Sequence, residues 1–263
     1  MLTAESQLVR NIVRFDSRYA QSVTVCSQLK TLEEFASQRI AEPKLSFQDY
    51  LVAALQQGAT VEPGVSPRSP GKSGQSLGAH LARVHQRELK QDDVASPRGV
   101  LARARVNELL KDLGLTTMAC IPLSVALNQA VRRYESTVRN QDELPGFLLK
   151  SLAVAVENAE GFVLHVIETF DEWTTAISPR KGTVLETALL SVTHRGGITS
   201  GPLLVSSGAN KSNVYRAIDE LEACGILREV TGRKKNQVWV APRLVEIFEH
   251  AVGRGASSRG NSA

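Results

Sequence analysis

The hydrophobic pattern changes period once in the C-terminal quarter of the chain, and this change limits the folds that the quarter can adopt. Residues 183–194 and 210–224 carry apolar residues at helical spacing. From Ile226 the apolar residues follow the shorter period of extended chain, in Ile226–Val230 and again in Val238–Val240. We therefore predict a helical module that is closed by a β-hairpin.

The segment between the two predicted helices supplies a shorter helix, which makes residues 210–224 the third helix of the module in chain order. Gly196-Gly197 ends the first helix, and Ile198–Ser200 predicts a short strand that leads into the next helix. Leu203, Leu204 and Val205 are expected to form the buried face of that helix, and Gly208 the turn after it. The core face of the third helix is then made of Val214, Ile218 and Leu221.

This order of three helices and a hairpin is typical of a winged helix-turn-helix, which predicts double-stranded DNA as the partner. The third helix would offer base or phosphate contacts, and the hairpin tip would lie over phosphates or a minor groove. The candidate DNA-binding residues are Lys211, Asn213, Tyr215 and Arg216 on the helix, and Arg233, Lys234 and Lys235 on the tip. The alternative is a winged helix that binds another protein, with a basic tip that is only solvated.

The distribution of charge favours the DNA interpretation. The segment 178–248 carries ten Lys and Arg residues against six Asp and Glu residues, a net charge of +4. The whole chain of 263 residues, with 31 basic and 27 acidic residues, has the same net charge. The excess positive charge therefore lies in one segment, as expected where a phosphate backbone is bound.

The rest of the chain predicts helices and no strand, so the expected fold class is mainly α, a helical bundle followed by the winged helix. We expect helices over 77–94, Val100–Leu115, Ile121–Arg139 and Pro145–Ile177. The predicted regions are an N-terminal helical region (1–60), a Pro/Gly/Ser-rich linker (61–76), a helical domain (77–177), the winged helix (178–250) and a disordered tail (251–263).

Other residue types point away from metal and membrane chemistry. The three cysteines, Cys26, Cys120 and Cys224, are scattered, which predicts neither a disulfide framework nor zinc but small buried side chains in a cytoplasmic protein. His80 and His85 are five residues apart, and with Glu88 they predict a solvated helix face rather than a metal pair. No apolar stretch is long enough to span a membrane. We expect no cofactor.

Several segments after residue 100 resemble proteins of the Fic family, whose enzymes transfer AMP from ATP to a hydroxyl of a target protein. The resemblance covers roughly 77–248. It rests on Ala104–Leu110, on Ile121–Ser124 with Asn128 and Arg133-Tyr134, and on Arg216–Leu221 followed by Gly225–Arg233. It implies that the helical domain derives from a Fic core.

The catalytic signature of the Fic family, His-Pro-Phe-x-[Asp/Glu]-Gly-Asn-Gly-Arg-x-x-Arg, aligns with residues 92–103 and is largely missing. The histidine that would take the target's proton is replaced by Asp92, and the acid that would bind magnesium by Ser96. Val100 replaces the first arginine, so that only Gly99 and Arg103 match. The resemblance implies a degenerate, inactive core with these two residues as a nucleotide-binding remnant.

Three functions follow from these observations. The favoured one is a DNA-binding regulator with an inactive Fic-like domain, working as a homodimer on paired half-sites. The second is a Fic-type adenylyltransferase with an aberrant motif, so that the enzyme question leans towards no. The third is a protein-interaction module with a protein partner and no DNA.

Overall fold

Twelve helices and three short strands make up the described part of the chain, residues 3–57 and 76–253 of a computed structural model. The helices are α1 (Ala4–Tyr19), α2 (Val23–Ala41), α3 (Phe47–Gln57), α4 (Leu77–Leu89), α5 (Pro97–Asp112), α6 (Leu123–Gln129), α7 (Val131–Arg139), α8 (Leu144–Ile177), α9 (Val184–Arg195), α10 (Ser200–Ser207), α11 (Lys211–Ala223) and α12 (Pro242–Val252). The strands are β1 (Gly197–Thr199), β2 (Arg228–Glu229) and β3 (Val238–Val240).

This composition confirms the mainly α fold class with a small β-hairpin. Residues 61–75 of the predicted linker and 254–263 of the predicted tail lie outside the described residues. None of the helices in the described ranges is long and apolar enough to cross a membrane.

Hydroxyl side chains begin several helices. Ser22 accepts the backbone N–H of Val25 at the start of α2, and Ser96 accepts that of Gly99 at the start of α5. Because the first N–H groups of a helix have no partner within it, each such acceptor stabilises the helix by about 1 kcal/mol. These residues explain why the helices start where they do.

The described residues form two compact units. Unit 1 contains residues 3–45, 76–161 and 251–253, and unit 2 contains residues 46–57 and 162–250. The long helix α8 supplies its first half to unit 1 and its second half to unit 2.

Unit 1 is an all-helical core in which α2 packs on α6, and α4 packs on α5. One predicted boundary here is wrong, because Ile121–Arg139 is not a single helix. The chain leaves the helical conformation at Ala130, which separates α6 from α7 with φ −117° and ψ 30°. Alanine has the highest helix propensity of all residues, so the identity of residue 130 does not indicate that the helix ends there.

Unit 2 is built around the antiparallel sheet, in which β3 lies between β1 and β2. Gly197 pairs with Val240 across β1 and β3, and Arg228 pairs with Val240 across β2 and β3. All three residues of β3 are buried. Helix α3 contacts both β1 and β3. A segment more than 100 residues before the sheet in sequence therefore completes this unit.

An aromatic cluster attaches α3 to the rest of unit 2. The rings of Phe47 and Phe248 are stacked, with centroids 4.0 Å apart, and Phe162 meets Phe248 edge-on at 5.0 Å. Phe47 and Phe248 are fully buried. Since a buried phenylalanine contributes several kcal/mol to stability, α3, the second half of α8 and α12 belong to the folded core of the unit.

Candidate nucleic-acid interface

Helices α10 and α11 are joined by a three-residue turn that fixes the start of α11. Gly208 ends α10 in the left-handed region with φ +61°, which favours glycine. Two residues later the side chain of Asn210 accepts the backbone N–H of Asn213 at 2.9 Å and caps α11. The predicted core face of α11 is confirmed, because Val214, Ile218 and Leu221 are buried. The first turn of α11 is thus held in place by its cap and by its core.

The predicted buried face of α10 is wrong for two of its three residues. Leu203 is 2% exposed, but Leu204 is 37% and Val205 is 83% exposed. Successive side chains on a helix point about 100° apart, so three consecutive residues cannot share one buried face. The strand predicted before this helix is present as β1.

The four candidate contact residues on α11 fall into two groups. Lys211 and Arg216 are exposed, and Asn213 is half-buried. Tyr215 instead lies against the body of the unit. Its ring meets that of Trp239 edge-on at 6.3 Å, and its hydroxyl donates to Ser200 Oγ at 3.4 Å. Lys211 Nζ lies 5.7 Å from the centre of the Tyr215 ring, so Tyr215 also supports this cation.

Sequence reasoning missed Ser212 as a member of this face. Asn210, and not Ser212, caps α11. Ser212 is exposed and lies one turn before Arg216 on the outward side of the helix. Asp219 and Glu220 are the next exposed residues along the helix. The exposed acids of α11 therefore begin after its second turn, and its first two turns carry the exposed cations Lys211 and Arg216.

The hairpin between β2 and β3 has a base that is organised by Glu229. The Glu229 carboxylate accepts the backbone N–H of Thr231 at 2.9 Å, that of Gly232 at 2.9 Å, and the Thr231 hydroxyl. These hydrogen bonds, that of the hydroxyl first, lower the pKa of Glu229. The Thr231 hydroxyl oxygen in turn accepts the N–H of Val238 at 3.3 Å, which joins the two sides of the hairpin.

The three candidate cations on the hairpin tip, Arg233, Lys234 and Lys235, are all exposed. Within the described residues none of them lies within ion-pair distance of an acid. Two positive φ angles shape the tip, +60° at Gly232 and +55° at Asn236. The tip therefore presents three cationic groups to solvent.

The segment that aligns with the Fic signature lies in unit 1, and close packing explains why it has a glycine at position 99. A Cβ atom on Gly99 would lie 2.0 Å from the carbonyl oxygen of Val94. Ser96, at the position of the metal-binding acid, is the cap of α5. Asp92, at the position of the catalytic histidine, forms a salt bridge of 2.9 Å with exposed Arg98. The loop before α5 therefore packs closely against the first turn of that helix.

Arg103, the other residue that matches the Fic signature, is fully buried. Its Nε donates to Ser37 Oγ at 2.9 Å, one terminal nitrogen donates to the carbonyl of Val94 at 2.7 Å, and the other to the carbonyl of Ser37 at 3.0 Å. The guanidinium thus joins α2 to the loop before α5. It has no exposed surface that a phosphate group could reach.

The expected solvated face on α4 is wrong for His85, which is fully buried. Its Nε2 lies 2.6 Å from the hydroxyl of Tyr134. Burial, together with the nearby charge of Arg103, lowers the pKa of His85 to about 4. His85 is therefore a neutral core residue at physiological pH. Local sequence pattern does not reveal this burial, because the partner of His85 is 49 residues away.

A buried carboxylate completes the polar core of unit 1. Glu33 accepts the backbone N–H of Ser124 at 2.7 Å through one oxygen and the Ser124 hydroxyl at 2.7 Å through the other. Burial raises the pKa of Glu33 to about 7, while the hydrogen bonds from Ser124 and the charge of Arg103 act in the opposite direction. This group is half ionised near neutral pH.

The cysteines are free, and one of them departs from expectation. Cys26 and Cys120 are half-buried, whereas Cys224, predicted to be a buried side chain, is exposed beside the end of α11. In residues 3–57 and 76–253 no group of three His, Cys, Asp or Glu side chains is placed to hold a metal ion.

Comparison with known proteins adds no assignment. No protein-family model matches the chain, and no curated protein matches it either.

Proposed function

We propose that the protein is a DNA-binding regulator that contacts duplex DNA through unit 2, with α11 as the recognition helix and the β2–β3 hairpin as the wing. The observation that carries the proposal is the wing tip, where Arg233, Lys234 and Lys235 are exposed and, among the residues that the structure describes, have no acid within ion-pair distance. Such cations release counterions when they neutralise phosphates.

The helix supports the same proposal. Lys211 and Arg216 are exposed in the first two turns of α11, where a recognition helix meets base edges and phosphates. Ser212 lies on the same outward side and can donate a hydrogen bond. The assignment is therefore phosphate contact for Lys211 and the wing tip, and base or phosphate contact for Ser212, Asn213 and Arg216. Tyr215 has a supporting role.

The salt dependence of binding tests the proposal. The full chain is titrated with a fluorescent duplex at several salt concentrations, beside a variant in which Arg233, Lys234 and Lys235 are changed to Gln. Each phosphate contact contributes roughly 0.9 to the slope of log K against log salt, so the variant should lose about 2.7 units of slope. The control changes three exposed arginines of α7 in unit 1, Arg132, Arg133 and Arg139, to Gln. Equal slopes in the two variants would contradict the assignment of the wing.

For unit 1 we propose a structural role without nucleotidyl transfer. The position of the metal-binding acid is used as a helix cap by Ser96, and Arg103 is occupied by three hydrogen bonds to protein groups. Calorimetry with ATP and magnesium tests this proposal. We expect no saturable heat, and saturable, magnesium-dependent ATP binding by the unmodified chain would favour an adenylyltransferase.

A further inference from the structure

Two carboxylates connect the recognition helix to the wing. Glu222 on α11 accepts the backbone N–H of Glu229 through Oε1 at 3.1 Å. The carboxylate of Glu229 then accepts the N–H groups of Thr231 and Gly232 and the hydroxyl of Thr231. The same hydroxyl oxygen accepts from Val238 on β3. One continuous chain of hydrogen bonds therefore runs from α11 through β2 to both sides of the hairpin.

This chain replaces backbone pairing that the hairpin lacks. β2 is only two residues long, and the ladder continues beyond it with one bond, from the N–H of Val230 to the carbonyl of Val238 at 3.0 Å. A hairpin with so little pairing is marginally stable by itself. Glu229 supplies acceptors for the first two N–H groups of the turn, which would otherwise face water without a fixed geometry.

We propose that Glu229 is a positioning residue for DNA binding, which holds the wing in one conformation and fixes the basic tip relative to α11. The inference rests on the proposed function of unit 2. A wing that is already ordered binds DNA without a further loss of conformational entropy. If the binding conformation is populated only a fraction of the time, the apparent affinity falls by that fraction.

The inference gives binding changes of opposite sign for two acids of the same unit. Removing a negative charge near phosphates should by itself strengthen DNA binding. Glu220, an exposed acid on α11, serves as the matched control, because its removal changes the same charge and its side chain has no part in the wing. Glu229→Ala should instead weaken binding, since the loss of wing order outweighs the loss of repulsion.

The experiment measures DNA affinity and backbone hydrogen exchange for the full chain, for Glu229→Ala and for Glu220→Ala. We expect roughly tenfold weaker binding for Glu229→Ala, and unchanged or tighter binding for Glu220→Ala. Exchange at Thr231 and Gly232 should be faster in Glu229→Ala alone. Thr231→Val, which removes the hydroxyl without changing charge, should weaken binding in the same direction.

The outcomes separate the inference from the function on which it rests. If the unmodified chain binds duplex DNA and both Glu→Ala variants bind equally well or better, Glu229 does not position the wing. If the unmodified chain shows no salt-dependent binding to duplex DNA, the proposed function itself is wrong. In that case the exchange measurement still reports whether Glu229 orders the hairpin.

Discussion

Replacing Glu33 by Gln should make unit 1 more stable at alkaline pH and leave it little changed at acidic pH. Gln has nearly the same shape as Glu, and its amide can accept the N–H of Ser124 and donate to the Ser124 hydroxyl. The substitution therefore keeps the two hydrogen bonds that Glu33 makes at 2.7 Å. It removes only the need to bury a negative charge.

The magnitude follows from the pKa. The pKa of Glu33 in the folded protein is about 7, against 4.5 for an unperturbed glutamate. Because the folded state holds the proton more tightly, the stability from this group is fully present below about pH 4.5 and is lost as the pH rises through 7. At 1.36 kcal/mol per pKa unit, the loss between pH 5 and pH 8 is on the order of 2 to 3 kcal/mol.

His85 shifts stability in the opposite sense, since its pKa of about 4 adds stability as the pH rises from 4 to 6.5. Its contribution is present in both proteins and cancels when the variant is compared with the unmodified chain. The quantity to follow is therefore the free energy of unfolding of unit 1 in Glu33→Gln, minus that of the unmodified chain.

Hydrogen exchange of peptides from α2 and α6 is the suitable assay, because both tryptophans, Trp173 and Trp239, lie in unit 2 and fluorescence would report on that unit. The difference should grow by roughly 2 to 3 kcal/mol from pH 5 to pH 8. Glu42→Gln, which removes an exposed carboxylate at the end of α2, is the control. A Glu33→Gln difference that stays within about 0.5 kcal/mol over this range would refute the reasoning.

Three further substitutions test the packing described above. Gly99→Ala should destabilise unit 1, because the added Cβ would lie 2.0 Å from a carbonyl oxygen. Gly161→Ala is the control: it lies within α8, where a Cβ would meet no atom within 4 Å, and should be neutral or stabilising by up to about 1 kcal/mol. Thermal melts followed by circular dichroism compare the two variants. Phe248→Ala should cost unit 2 about 3–5 kcal/mol in urea unfolding followed by tryptophan fluorescence, and an unchanged midpoint would show that the aromatic cluster is not part of the core. Asn210→Ala should cost about 1 kcal/mol through loss of the α11 cap, and Ser212→Ala, an exposed neighbour without a capping bond, should cost much less in the same assay.

Local pattern was sufficient to predict the elements of the C-terminal quarter. Apolar spacing, glycines at helix ends and the change of period predicted α9, α11 and the hairpin, and the structure places each of them close to the expected residues. These signals are local in the chain, and the buried positions of Val214, Ile218 and Leu221 follow directly from helical geometry. The exposure of the cations on the hairpin tip was predictable in the same way, since charged residues in a hairpin turn are ordinarily exposed.

Long-range packing was beyond such patterns. Nothing in the sequence around α3 indicates that it packs on β1 and β3. The apolar face of an amphipathic helix shows that the helix packs on something, but not on which element. The burial of His85 against Tyr134 and of Arg103 against Ser37 depends on contacts between residues 49 and 66 positions apart. The role of Glu229 was also missed, since an acid in a strand gives no sign that it will accept hydrogen bonds from the turn that follows it.

Selection of bound duplexes from a random pool by the full chain tests the central claim, DNA binding by α11 and the wing, most directly. The account predicts that a common motif is enriched, and that Arg216→Ala relaxes the preference at one position of the motif while neutralising Arg233, Lys234 and Lys235 weakens retention of all sequences alike. A motif with two-fold symmetry would indicate that two copies bind together. Recovery of no enriched sequence, with retention equal to that of the wing variant at every salt concentration, would contradict the account.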